Sequence, residues 1–117
     1  MDSHGKVNCA QRTEAIRRLN DRLRRTGQGG KVMMTSAVAD LPPAELIQLL
    51  SQMRQFENFT AENDPYGEHD FGSVVIDGQS YFWKIDAYDV NFEFGSPDAS
   101  DETVTCRVLT LMHASDW

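Results

Sequence analysis

His69, Lys84 and Asp86 are the side chains in this sequence whose types could do acid–base chemistry together. An imidazole titrates near neutral pH, a carboxylate can hold it in one tautomer, and an ammonium can stabilise developing negative charge. The three meet only if the chain from His69 to Asp86 is a β-hairpin. Asp77-Gly78 is the favoured pair for a two-residue turn, because both positions there need positive φ. It separates Ser73-Val74-Val75-Ile76 from Tyr81-Phe82-Trp83-Lys84-Ile85-Asp86, whose β-branched and aromatic residues suit strands. With that turn Ile76 pairs with Gln79, Val74 with Tyr81, Gly72 with Trp83 and Phe71 with Lys84. Continued outward, the register sets His69 opposite Asp86. Alternation then puts His69, Phe71, Phe82, Lys84, Asp86 and Tyr88 on one face, and Val74, Ile76, Trp83 and Ile85 on the other. A bulge would break the His69–Asp86 match.

One reading of this constellation is a small hydrolase or nuclease-like enzyme using His69, Lys84 and Asp86. Asp64, Glu68, Asp70 and Asp89 would then be available to a hard divalent cation. The other reading is a cross-strand ion pair beside loop carboxylates that cap their own backbone. The second is preferred. No serine or cysteine sits in a nucleophile setting, and Gly27-Gln28-Gly29-Gly30 lacks the Lys-Ser/Thr ending of a phosphate loop. No catalytic residue is assigned, and no cofactor or metal is expected. Cys9 and Cys106 have no Cys-x-x-Cys or Cys-x-x-His neighbour, and read as ordinary buried or half-buried thiols.

Charge divides unevenly along the chain. Residues 1–31 carry eight basic and three acidic side chains, or +5, whereas residues 32–117 carry three basic and fifteen acidic, or −12. An Arg-rich helix could grip nucleic-acid phosphates through Arg17, Arg18, Arg24 and Arg25, as a DNA-binding regulator would. Against this, Glu14–Arg18, Arg17–Asp21 and Asp21–Arg25 are each four apart and form a self-compensating ladder on a helix. The acidic remainder would also repel a duplex, so direct nucleic-acid binding is not expected. The opposite idea is an acidic surface that occupies the basic groove of a nucleic-acid-handling protein. Asp64, Tyr66, Glu68, Asp70, Asp86, Tyr88 and Asp89 are the candidates to contact such a protein partner.

The elements that must position these residues follow from periodicity and punctuation. Ala15, Ile16, Leu19 and Leu23 form a helical stripe within Gln11–Arg25, with Thr13 as a cap and glycines 27, 29 and 30 ending it. Lys31–Ser36 reads as a short strand. Pro42 and Pro43 open a second helix that carries Leu46, Leu49, Leu50, Met53 and Phe56 to about Asn58. Asn63–Gly72 is a turn-rich loop, Asn91–Phe94 an extended piece, Gly95–Asp98 a turn, and Val104–His113 a last strand. The expected fold is α+β in the order α-β-α-β-β-β, an antiparallel sheet of about four strands with two helices on one face. Its 117 residues fit a single domain, with residues 1–10 as a flexible N-terminal arm. No apolar run could span a bilayer and the N-terminus lacks the order of a secretory signal, so a cytoplasmic location without membrane contact is expected.

Several segments carry a resemblance. They are Arg17–Asp21, Asn63-Asp64-Pro65-Tyr66-Gly67-Glu68-His69-Asp70-Phe71-Gly72, Phe82-Trp83-Lys84-Ile85-Asp86-Ala87-Tyr88-Asp89, Gly95–Asp98 and Arg107–Thr110. From about Arg12 onward the chain resembles a family of small bacterial proteins classed only as a domain of unknown function. The family supplies no catalytic residues. Its members resemble accessory proteins of plasmids and other mobile elements, often encoded near anti-restriction genes. That resemblance implies an anti-defence protein, such as an anti-restriction or anti-CRISPR inhibitor of a host nucleic-acid-handling complex.

Overall fold

Asp77 and Gly78 both take positive φ, 50° and 76°, and close the expected hairpin as a two-residue turn. The computed structural model that shows this describes residues 8–117. Around the turn, β2 (Phe71–Ile76) and β3 (Gln79–Tyr88) pair in the register read from the sequence, from Ile76 with Gln79 to Phe71 with Lys84. β4 (Cys106–His113) lies antiparallel to the other edge of β3, and β1 (Lys31–Met34) lies beyond β4. β1 runs parallel to β4, so the sheet is mixed, not purely antiparallel as expected. The reason is topological. After β1 the chain passes through α2 (Ser36–Ala39) and α3 (Pro43–Arg54) before returning as β2 at the far edge. A helical connection of this kind can deliver either strand direction, and no local pattern records which.

α1 spans Cys9–Thr26 and begins earlier than its apolar stripe. Its cap is Asn8, not Thr13. The Asn8 side chain accepts from Gln11 N at 2.7 Å, and Gln11 reaches back to Asn8 N, which completes a capping box. Of the expected flexible arm, Asn8 is therefore a helix cap and Cys9 and Ala10 are helical, and residues 1–7 lie outside the described residues. At the other end Gly27 takes φ 76° and donates to the Leu23 carbonyl. α3 ends at Arg54, sooner than expected, and Asn91–Phe94 forms turns with only a Tyr88–Gly95 bridge.

The helices cover one face of the sheet. Leu23, Val38, Leu49 and Met53 pack there on Val74, Ile76, Trp83, Ile85, Leu109 and Leu111. Each such side chain, once fully buried, contributes roughly 1.5–3 kcal/mol. Trp83 fills the centre because its cross-strand neighbour is Gly72. A Cβ on Gly72 would run into the indole, so glycine is required there for space. Phe71, Phe82, Lys84, Asp86, Tyr88 and Thr110 alternate onto the second face, which no α-helix among the described residues covers.

Candidate functional site

His69 does not reach Asp86. Its φ of 55° turns the chain out of the ladder, whose last bond is Ile85 N donating to the Asp70 carbonyl at 2.8 Å. The imidazole swings to the helix side instead. Nδ1 lies 2.9 Å from Asp21 Oδ1, Nε2 lies 3.7 Å from Asp64 Oδ2, and the ring stacks on Phe59 at 3.7 Å between centroids. Lys84 and Asp86 remain on the uncovered face, 3.1 Å apart. The sheet thus separates the three proposed catalytic groups. A non-glycine residue in the left-handed region is uncommon, and here it re-aims one side chain by a whole face.

The contacts of His69 belong to a polar clamp between α1 and the Asn63–Gly72 loop. Asp64 accepts from the backbone N–H groups of Glu68 and His69, both at 3.1 Å. Arg17 Nε donates to the Gly67 carbonyl at 2.8 Å, and Asn20 Nδ2 donates to the Glu68 carbonyl at 3.0 Å. Arg107 Nε donates to Asn20 Oδ1 at 2.8 Å, and the same guanidinium also donates to the Ala99 carbonyl. Arg24 is fully buried. One of its amino groups donates to the carbonyls of Met53, Arg54 and Phe56 at 3.0–3.1 Å, and the other to Asp21 at 2.9 Å. Those carbonyls belong to the end of α3 and the turn after it, so Arg24 caps one helix from inside another. Burial pulls the Arg24 and Arg107 guanidinium pKa values down; Asp21 opposes this at Arg24, and Glu102 and Glu68 oppose it at Arg107.

The four arginines proposed to bind nucleic acid are therefore mostly occupied. Arg24 is inaccessible, and Arg17 is committed to the loop. Arg18 keeps the expected pairing with Glu14 at 3.5 Å, but the Arg17–Asp21 and Asp21–Arg25 pairs do not form. Arg25 approaches Glu57 at 3.5 Å, and Arg12 and Arg22 approach Asp98 and Glu102 at 3.4 and 3.7 Å. The basic helix is thus seated against acidic loops of the body. Exposed pairs of this kind add little stability, but they reduce the positive surface left to a partner.

On the uncovered face Trp117 packs edge-on against Phe71 and Phe82, at 5.3 and 5.7 Å. The residue as a whole remains 70% exposed. Two adjoining clefts, of about 560 and 400 Å³, share Lys84, Asp86 and Trp117. The larger adds Asp70, Phe71 and the exposed ring of Tyr66. The smaller adds Tyr88 and Thr110. Burial, then neighbouring Asp64 and Asp86, raise the Asp70 pKa against the pull of a backbone hydrogen bond; burial, then Asp70, raise that of Glu68. Of the partner-binding candidates, Tyr66, Asp70, Asp86 and Tyr88 meet at these clefts. Asp64 is buried in the clamp, the Glu68 backbone joins it, and Asp89 caps the N–H groups of Asn91 and Glu93. Among the described residues, no three His, Cys, Asp or Glu side chains converge as cation ligands. Cys9, expected to be at least half-buried, is exposed, and both cysteines are free thiols. Trp117 was not foreseen, because it follows a short polar stretch with no periodicity to place it. Gly72 was also missed, although a glycine opposite a tryptophan in a fixed register is a usable sign.

A family described as proteins of unknown function (DUF3768) matches residues 34–116. The chain belongs to this family. The match takes in the loop, the hairpin, β4 and the lining of both clefts except Trp117, but not α1, although the resemblance read from the residues began near Arg12. No curated protein matches the chain, and no solved structure does. No helix among the described residues is long and apolar enough to cross a membrane.

Proposed function

We propose that this domain is a non-enzymatic, acidic protein-binding module that engages a basic surface with the uncovered face of its sheet. The observation that carries the reading is the fate of the arginines. Those of α1 are engaged by internal carbonyls, by acidic loops or, for Arg18, by Glu14 of the same helix, so the surface charge offered to a partner follows the net −7 of the chain. An exposed aromatic group ringed by carboxylates has the composition of a recognition surface, since aromatic side chains anchor interfaces and charge steers the encounter. The family resemblance suggests the partner class, a nucleic-acid-binding site of a host defence complex, as an anti-restriction or anti-CRISPR inhibitor would need.

Affinity capture from a bacterial lysate, followed by salt titration and competition with duplex DNA, tests the proposal. The captured partner should elute as ionic strength rises and should be displaced by DNA. Binding that ignores salt would contradict it. The placement of His69 behind the sheet weighs against an enzyme built on His69, Lys84 and Asp86, and buried Arg24 weighs against a DNA-binding regulator.

A further inference from the structure

We infer that the larger cleft of the uncovered face is a socket for an arginine side chain of the basic partner, an inference that rests on the protein-binding reading above. The cleft is lined by aromatic and acidic residues. Tyr66 is 78% and Trp117 70% exposed, and Phe71 fixes the indole from behind. Asp86 is neutralised by Lys84 at 3.1 Å. Asp70 has no cation within ion-pair distance among the described residues, and it lies close enough to Asp86 to feel its charge. The cleft is therefore lined by two acidic residues and one lysine, one positive charge short of balance. An anion would meet acidic lining, and the one cation lining the cleft among the described residues, Lys84, is already engaged. A guanidinium would restore neutrality at Asp70 while lying against the rings.

Arginine suits the walls better than lysine. Its planar, weakly hydrated head can stack on an aromatic face and fork onto a carboxylate in one pose, whereas an ammonium must choose. The cleft volume of about 560 Å³ also leaves room for the backbone on either side of the inserted residue.

The chain holds two tryptophans, one at each end of the exposure range, so their indole N–H resonances report separately on core and cleft. The probe is acetyl-Gly-Arg-Gly-amide titrated into the full chain, beside its lysine and citrulline counterparts. The Trp117 indole signal should move and the Trp83 signal should stay. Binding should weaken with lysine and weaken about tenfold or more with citrulline, which keeps the shape without the charge. Asp70→Asn should reduce binding of the arginine peptide several-fold, and Trp117→Leu should abolish it with the Trp83 signal unchanged. Equal binding of the citrulline peptide, or full binding by Asp70→Asn, would overturn the socket. Loss of the socket with salt-sensitive partner capture intact would leave the protein-binding reading standing. Arginine-peptide binding without any salt-sensitive partner would do the reverse.

Discussion

The two faces of the sheet use the same residue types for opposite ends. Behind the sheet, Arg24, Asp21, His69 and Asp64 are buried or nearly so, and their polar atoms are directed at backbone groups and at one another. In front, Lys84, Asp86 and Trp117 are half-buried or exposed, with half-buried Asp70 lining the cleft just before β2, and among the described residues the Lys84–Asp86 pair is the one ion pair these groups make. Together these bonds hold a loop in place, although the buried Arg24 Nε has no partner among the described residues. An open set with an uncompensated carboxylate is available to something else. The contrast teaches that the most conspicuous chemical residue, His69, is tied to Asp21 and Phe59, while the face proposed for partner binding is the plainer one.

Substitutions behind the sheet should damage folding first. Arg24→Ala strips the cap from the α3 carbonyls and leaves Asp21 without its buried partner. A loss of about 3–5 kcal/mol is expected in urea unfolding. An effect below about 1 kcal/mol would mean the clamp is incidental. Gly72→Ala forces Trp83 to shift and should cost about 1–3 kcal/mol. His69→Ala should cost about 1–3 kcal/mol through lost contacts with Asp21 and Phe59, yet leave partner binding per folded molecule unchanged. Lost binding in a stable His69→Ala protein would reverse the assignment of the two faces.

Substitutions in front should do the opposite. Trp117→Ala is expected to alter stability by no more than about 0.5–1 kcal/mol while greatly weakening partner capture. Asp70 provides the finest test, through pH. Its raised pKa, like that of Glu68, means the folded protein holds protons to a higher pH than the unfolded chain does. The stability these groups contribute is therefore present below the ordinary carboxylate range and lost as pH rises through their raised values. Thermal unfolding should show a small stability gain on mild acidification from neutral pH. Asp70→Asn should be slightly more stable than the parent at neutral pH, with that part of the pH dependence removed. A variant at once more stable and worse at binding is what a site residue predicts. A less stable Asp70→Asn would place Asp70 in the clamp.

How much of this could be read from the residues depends on whether local chemistry decides the feature. The hairpin register was legible through Phe71 because Asp77-Gly78 admits the turn, and alternation does the rest. It failed at His69 because nothing in Glu68-His69-Asp70 announces a positive φ, and one such residue changes the face. The α+β class was legible from periodicity, whereas the parallel β1–β4 pairing depends on how distant helices return the chain. Arg24 read as a surface cation because four other arginines of its helix are surface cations. Only the docked end of α3 singles it out. The cleft was legible in part. Asp70, Asp86, Tyr66 and Tyr88 stood among the candidates, but the wall that completes it, Trp117, arrives from the far end of the chain.

The most direct test of the central claim is the ionic-strength dependence of partner affinity, compared between the wild-type chain and Asp70→Asn/Asp86→Asn. The wild-type affinity should fall steeply with salt, and the double variant should bind more weakly with a flatter slope. An identical slope and affinity in the double variant would show that the uncovered face is not where this domain meets its partner.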